Sequence, residues 1–247
     1  MLRHSPLKLR RVRAPWWLLP VLLSACQPQP QPQQQLESPR SAEAATDWPG
    51  HDYAAAAAAG SDVFLLDAQA TRIDVVVRRD GPLARFGHDH VVTIQEPEGF
   101  LQLDQQGPAS RADLRFRLDQ LAVDSAAARG RYALDSNPSE ADIAGTRKNL
   151  MEHVLDTGRW PWMTLGMGAF ERQQDHYSAI VTLAINGSEY SSRQPFRLRR
   201  EADRAAVEGF FVIRQTELGI EPFSALGGGL RVADPLEVHF FIEADKR

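Results

Sequence analysis

Residues 177–187 read YSAIVTLAING. Tyr177, Ala179, Val181, Leu183 and Ile185 alternate with Ser178, Ile180, Thr182 and Ala184. A period of two puts the first set on one face of a strand. Asn186-Gly187 follows at once, and both residue types tolerate the positive φ that a two-residue hairpin turn demands. The stretch reads as a half-buried antiparallel strand turning into its neighbour. Its period recurs along the chain. Ile73, Val75 and Val77 alternate with Arg72, Asp74, Val76 and Arg78, and Leu114, Phe116 and Leu118 with Asp113, Arg115, Arg117 and Asp119. Leu236, Val238, Phe240 and Ile242 repeat it near the end. Regular strands with turn signals predict a sandwich or a barrel, and closure into a barrel removes the exposed edges of an antiparallel sheet.

One segment departs from that period. Residues 137–158, NPSEADIAGTRKNLMEHVLDTG, place Ile143, Leu150, Met151, Val154 and Leu155 on one helical stripe. Ser139 with Asp142 predicts a capping arrangement at the start, and Gly158 a stop. A short Ala-rich turn is expected at 124–130. The glycines Gly227, Gly228 and Gly229 lack the strand–helix context of a phosphate loop and read as a turn or bulge.

The N-terminal residues carry a different message. MLRHSPLKLRRVRA has five cations and no acid, and PWWLLPVLLSA after it is apolar but too short to span a bilayer. Residues 1–25 therefore read as a secretory signal peptide. LSAC, at 23–26, resembles the lipobox of bacterial lipoproteins, which makes Cys26 the expected lipidation site. Gln27 in the position after it favours the outer membrane over the inner one, facing the periplasm. Gln and Pro then alternate, and 26–60 reads as a disordered lipidated tether; the alanines at 54–59 allow a turn or two of helix, without the periodicity of a docked one. One folded domain is expected over 61–247.

Cys26 is the only cysteine, so no internal disulfide is available and the domain must rest on its hydrophobic core. Loss of the five leader cations takes the formal charge from −4 to −9. That balance argues against a nucleic-acid partner, which needs clustered Lys and Arg. The membrane is a partner only through the acyl anchor.

Four landmarks in fixed order now acquire a meaning together: VFLLDAQATRIDVVVRRDGPLARFGHDHVV (63–92), VLDTGRWPWMTL (154–165), INGSEY (185–190) and TELGIEPFSALGGGLRVADPLEVHFFIEA (216–244). They resemble the YceI family over roughly residues 62–245. The resemblance implies an exported all-β, mainly antiparallel, lipocalin-like up-and-down barrel with one inserted amphipathic helix, binding a polyisoprenoid or a related amphiphile such as a quinone or a fatty amide. GHDH and INGSEY depart from the commoner motifs of the family, which leaves the identity of the ligand open.

An eight-stranded barrel has an interior wide enough for side chains or one small ligand. A prenyl tail suits an apolar tube, since each buried CH₂ contributes roughly 0.8 kcal/mol. The expected ligand-contacting residues are Phe116, Leu118, Val181, Leu183, Phe211, Ile213, Val238 and Phe240 on the apolar alternations, with Phe86, His88 and His90 from FGHDHV and Trp162 from Trp160-Pro161-Trp162. A filled core is the competing use of the same apolar positions. His88 and His90 share one parity and offer a neutral donor and acceptor to a quinone carbonyl or an alcohol. They also make half of an alternative metal site, with His239 or His153 as a third ligand. No catalytic motif or cofactor fingerprint is present, so a non-enzymatic carrier or sequestering module is expected, with a metal-binding periplasmic protein or a solid-core adaptor as alternatives. Nothing in the chain decides between a monomer and a homodimer.

Overall fold

The computed structural model describes residues 48–104 and 109–247. The expected signal peptide, Cys26 and the Gln/Pro-rich part of the expected tether lie outside the described residues. Twelve strands follow one another: β1 (Asp62–Leu66), β2 (Arg72–Asp80), β3 (His90–Thr93), β4 (Glu98–Leu103), β5 (Arg111–Arg117), β6 (Ala122–Val123), β7 (Trp162–Arg172), β8 (Tyr177–Ile185), β9 (Ser188–Arg200), β10 (Arg204–Arg214), β11 (Ser224–Ala225) and β12 (Leu230–Lys246). Three helices join them: α1 (Gly50–Ala58), α2 (Ala126–Arg131) and α3 (Glu140–Asn149).

Neighbouring strands run β1-β4-β5-β7-β8-β9-β10-β12, and β12 pairs back onto β1, so these eight close a barrel. Every pairing among the described strands is antiparallel. The closing strand β12 is long enough to pair with β1 at one end and with β2 along its first part. β2, β3 and β6 then extend the wall at that second end. The fold class expected from the sequence, a lipocalin-like antiparallel barrel, is the one observed. Two helices beyond the expected one accompany it.

The hairpin of residues 177–190 is built as its residues require. Ile185 faces Ser188 across a turn in which Asn186 and Gly187 hold φ of 50° and 73°. Ser139 caps α3 with its side chain while Asp142 returns a bond to the Ser139 amide, the reciprocal box the spacing predicts. Beyond Asn149 the helix widens into a π turn over Leu150–Val154, in which the Leu155 amide reaches the Leu150 carbonyl at 2.9 Å. Met151 and Leu155 are buried, and Ile143, Leu150 and Val154 pack on the same interior cluster. The stripe thus covers the end of the barrel beside β6.

Two interior clusters fill the barrel at its two ends. One gathers Ile73, Val92, Leu114, Phe116, Leu183 and Ile213 beneath α3; the other gathers Phe64, Leu101, Phe170, Phe196, Val207 and Ala244. Full burial of each large side chain contributes roughly 1.5–3 kcal/mol. A third, smaller cluster lies on the outer face, where Val76 and Val91 meet Ala128 of α2.

Two expectations need correction. The segment ending at residue 60 is not tether to its end: α1 docks on the barrel through Tyr53, which is 0 % exposed, stacks on Phe100 and donates a 2.7 Å hydrogen bond from its hydroxyl to Asp113. Trp48, just before the helix, joins Tyr53 on Phe100, so docking needs no apolar periodicity. Leu118 does not continue β5 but begins a one-turn 3₁₀ helix, since the ladder with β7 ends at Arg117. It is buried all the same.

Candidate functional site

In an antiparallel ladder, directly opposed residues share a face. Inward-facing Val77 opposes His90, so His90 belongs to the inner side of the wall, at the start of β3. Its Nδ1 lies 2.6 Å from Asp124 Oδ2. Asp124 is fully buried, and its other oxygen accepts the Val91 amide at 3.0 Å and Arg129 Nη1 at 2.7 Å. Burial pushes the Asp124 carboxyl up, but the bonds from His90, the Val91 amide and Arg129 outweigh it and hold the group below its ordinary value. His90 is therefore fixed by a buried carboxylate. His88 stands beside it, ring centroids 6.2 Å apart, with a buried Nδ1 that has no hydrogen-bond partner among the described residues. Asp89 turns the other way, towards Arg78 and the Arg79 amide.

The remaining expected residues separate into three groups. Phe211, Val238 and Phe240 face inward and remain half-buried beside the interior clusters. Phe116, Leu118, Val181, Leu183 and Ile213 are packed almost completely. Two do not belong to the inner wall. Phe86 is 64 % exposed on a 3₁₀ turn, with the Arg85 guanidinium over its ring. Trp162 has outward parity and lies between Arg115 and Arg117, because Met163 and Leu165 take the inward positions of β7. Trp160 packs over Gly187 instead. The histidines do not assemble either: His239 is on the outer face opposite Asp74, and His153 is exposed. Among the described residues no three His, Cys, Asp or Glu side chains converge on a metal position.

The inner wall has a polar stripe that no apolar alternation marks. Tyr190, Ser192 and Gln194 oppose Leu183, Val181 and Ala179, and so face the interior from β9. Gln194 Nε2 donates to Ser192 Oγ at 2.8 Å. On its other edge β9 pairs with β10 only from Arg200↔Ala205 to Arg197↔Glu208. Pro195, which has no N–H to donate, follows that last rung. The stripe therefore runs beside a seam that is laced over only part of the length of its two strands.

The interior is neither an open tube nor a solid core. A cavity of about 40 Å³ lies midway, lined by Leu101, Ala112, Leu165, Met167, Val207 and Ile242 among others. That is space for a water but not for a chain, and its apolar lining gives a water no partners. Along the inner wall, Val75, Val77, Leu165, Met167, Leu236 and Ile242 face inward and yet keep part of their surface accessible.

Neither protein-family models nor curated proteins yield a match to this chain. Solved structures do. BcnA of Burkholderia cenocepacia superimposes with a TM-score of 0.54 at 11% identity, covering 72% of this chain and 99% of its own. A polyisoprenoid binding domain from Saccharophagus degradans, implicated in plant cell wall breakdown, gives 0.50 at 13% identity, over 74% and 98%. A Campylobacter jejuni YCEI protein matches at 0.46 and 11% identity, over 63% and 84%.

Proposed function

Starting from a YceI-like barrel, we propose that this domain holds one long-chain amphiphile, a polyisoprenoid or a molecule of similar shape, as a carrier or sequestering module. The observation that carries the reading is the inner wall. Val75, Val77, Met167, Phe211, Val238 and Phe240 face inward but are not fully buried, which leaves apolar surface for a tail to cover. One protein of this fold is described as a polyisoprenoid binding domain, which supports the same class of ligand.

Ten methylenes removed from water would contribute about 8 kcal/mol before the costs of ordering the chain. A tail needs more room than the 40 Å³ cavity, so side chains must give way. Met163 and Met167 are suited to that, because an unbranched thioether fills and vacates irregular space readily. The polar end would meet Tyr190, Ser192 and Gln194, or the imidazoles at His88 and His90; all of these suit an alcohol or a quinone carbonyl better than a second apolar group. Binding, not bond-making, is the use this arrangement favours.

Organic extracts of the purified chain, read by mass spectrometry, are expected to contain a prenyl lipid or related long-chain amphiphile. Extracts empty of such molecules after expression in a lipid-replete host would sink the reading.

We infer in addition that the chain is exported and anchored through Cys26, facing the periplasm from the outer membrane. The LSAC stretch and the Gln/Pro spacer support this. Cys26→Ser is expected to move the protein from the membrane fraction to the soluble one; unchanged membrane association would overturn the anchor.

A further inference from the structure

The outer face of the barrel carries a groove of about 660 Å³ across β9, β10, β12 and the end of α2. Its floor is aromatic. Phe210 and Tyr132 each lie 4.7 Å from the His239 ring, and Phe241 lies between the Arg72 and Arg199 guanidiniums, 5.9 and 6.0 Å from its centroid. Phe210 is 48 % exposed, although it is a large apolar side chain in the middle of a strand. His239 Nε2 is buried and has no hydrogen-bond partner among the described residues.

Three guanidiniums, Arg72, Arg131 and Arg197, line the groove. Arg131 is bound to buried Asp74 through Nε and Nη2. Arg72 approaches the same carboxylate only to 4.0 Å, with its side chain half exposed. Arg197 is exposed, and no carboxylate among the described residues lies within ion-pairing distance of it. Of the acids at the rim, Glu208 is paired with Arg199 at 3.6 Å, and Asp175 lies 2.8 Å from Nδ1 of groove-lining His176. In a chain of formal charge −4, this is a locally cationic surface laid over exposed rings.

The groove also reaches three residues of inward parity, Phe196, Gly209 and Phe240. Gly209 follows the last rung between β9 and β10, and the Phe240 ring occupies the place of its missing side chain: a Cβ there would lie 2.5 Å from Phe240 Cζ. That ring is the partition between the groove and the barrel interior.

We propose that this groove is a head-group site for single-chain anionic amphiphiles, phosphate or carboxylate, held by Arg197 and Arg72 over the Phe210–His239–Phe241 floor with the tail directed past Gly209 and Phe240 into the barrel. The location of the tail rests on the interior-binding reading above; the head-group site rests on the cations and rings of the outer face. Guanidinium bonds to phosphate or carboxylate are the strong, charge-assisted kind, and a ring floor covers the first methylenes beside the head.

Calorimetry on the purified chain with decyl phosphate, decanol and inorganic phosphate tests it, each amphiphile kept below its aggregation threshold. Decyl phosphate should bind more tightly than decanol, and inorganic phosphate far more weakly than either. Arg197→Glu should weaken decyl phosphate about tenfold or more while leaving decanol unchanged. Arg85→Glu, the same charge change at the opposite end of β2, should alter neither. Decyl phosphate affinity that is indifferent to Arg197→Glu while decanol still binds would overturn the head-group site and leave the interior reading standing. Inorganic phosphate binding as tightly as decyl phosphate would make the groove a free-anion site and overturn the amphiphile assignment. Decyl phosphate bound through Arg197 with no binding of decanol would refute interior capture of the tail, and with it the path past Gly209.

Discussion

Asp124 shows how much one side chain can decide here. It joins the strand start at His90, the Val91 amide and Arg129 of α2 in a single buried cluster. Removal of one member of a buried charged set leaves the others uncompensated, at about 3–5 kcal/mol. Asp124→Ala is therefore expected to lower the urea midpoint strongly. The acid side of the stability profile carries the same signature. Because the folded carboxyl is held below 3.8, its contribution is complete above that value and fades as pH falls through the folded pKa. Unfolding curves from about pH 5 to about pH 2 should fall less steeply in Asp124→Asn than in the parent; equal slopes would show that the cluster does not govern acid stability. Gly187 gives a second case. It combines φ of 73° with Trp160 Cη2 only 2.6 Å from where a Cβ would sit. Gly187→Ala should cost at least about 1–2 kcal/mol for the left-handed backbone alone. A shifted Trp fluorescence maximum would report the displaced indole. The turn at Asn186-Gly187 is legible in the sequence, because its φ requirement is local; the Trp160 contact is not, because 27 residues separate the partners. FGHDHV showed that His88 and His90 share a parity, and only the β2–β3 register with Asp124 fixed His90 to the inner side.

Among the elements, those with a hydrophobic period were readable and those anchored by one or two aromatics were not. β8 and α3 follow their alternation and stripe, whereas α1 has five alanines among its nine residues and docks through Tyr53, with Trp48 beside it on Phe100. Burial and the Asp113 carboxylate push the Tyr53 hydroxyl far above its ordinary range, so it stays a donor throughout the working range of the protein. Tyr53→Phe is expected to cost about 1–3 kcal/mol, since Asp113 loses a buried donor. Tyr53→Ala should undock α1, and limited proteolysis would then cut within 50–60; resistance equal to the parent would show that α1 is held by something else. β9 is the opposite lesson. SEYSSRQPF carries no apolar alternation, so the inward set Tyr190, Ser192 and Gln194 is invisible until its register with β8 is known. On β2 the valine at 76 sits on what reads as the wet parity, yet it is fully buried because α2 covers that face. One apolar residue among Arg72, Asp74 and Arg78 was the only local sign of that cover.

For the whole molecule, the central fact is a barrel whose interior is apolar, partly accessible and short of open volume. Ala112 lines the 40 Å³ cavity and is only half-buried, so Ala112→Leu should place its added carbons there. Small-to-large changes in a packed core cost about 1–3 kcal/mol, and the existing cavity should keep this one at the low end. The expected outcome is a small change in the urea midpoint together with loss of co-purifying amphiphile; a large destabilisation with unaltered lipid content would place the ligand elsewhere. The sequence by itself determined the alternating strands, the capped amphipathic helix, the hairpin turn and the likeness to a lipocalin-like barrel. Each of these depends on residues within a few positions of one another, where side-chain period and backbone φ act directly. Only the tertiary structure decided which strands close the barrel, that β9 turns polar groups inward, that Phe86 and Trp162 leave the inner wall, and that cations gather over exposed rings beside Gly209. Those features arise from register and closure between strands far apart in the chain, and a shift of one residue in that register would have sent every one of those side chains to the other face.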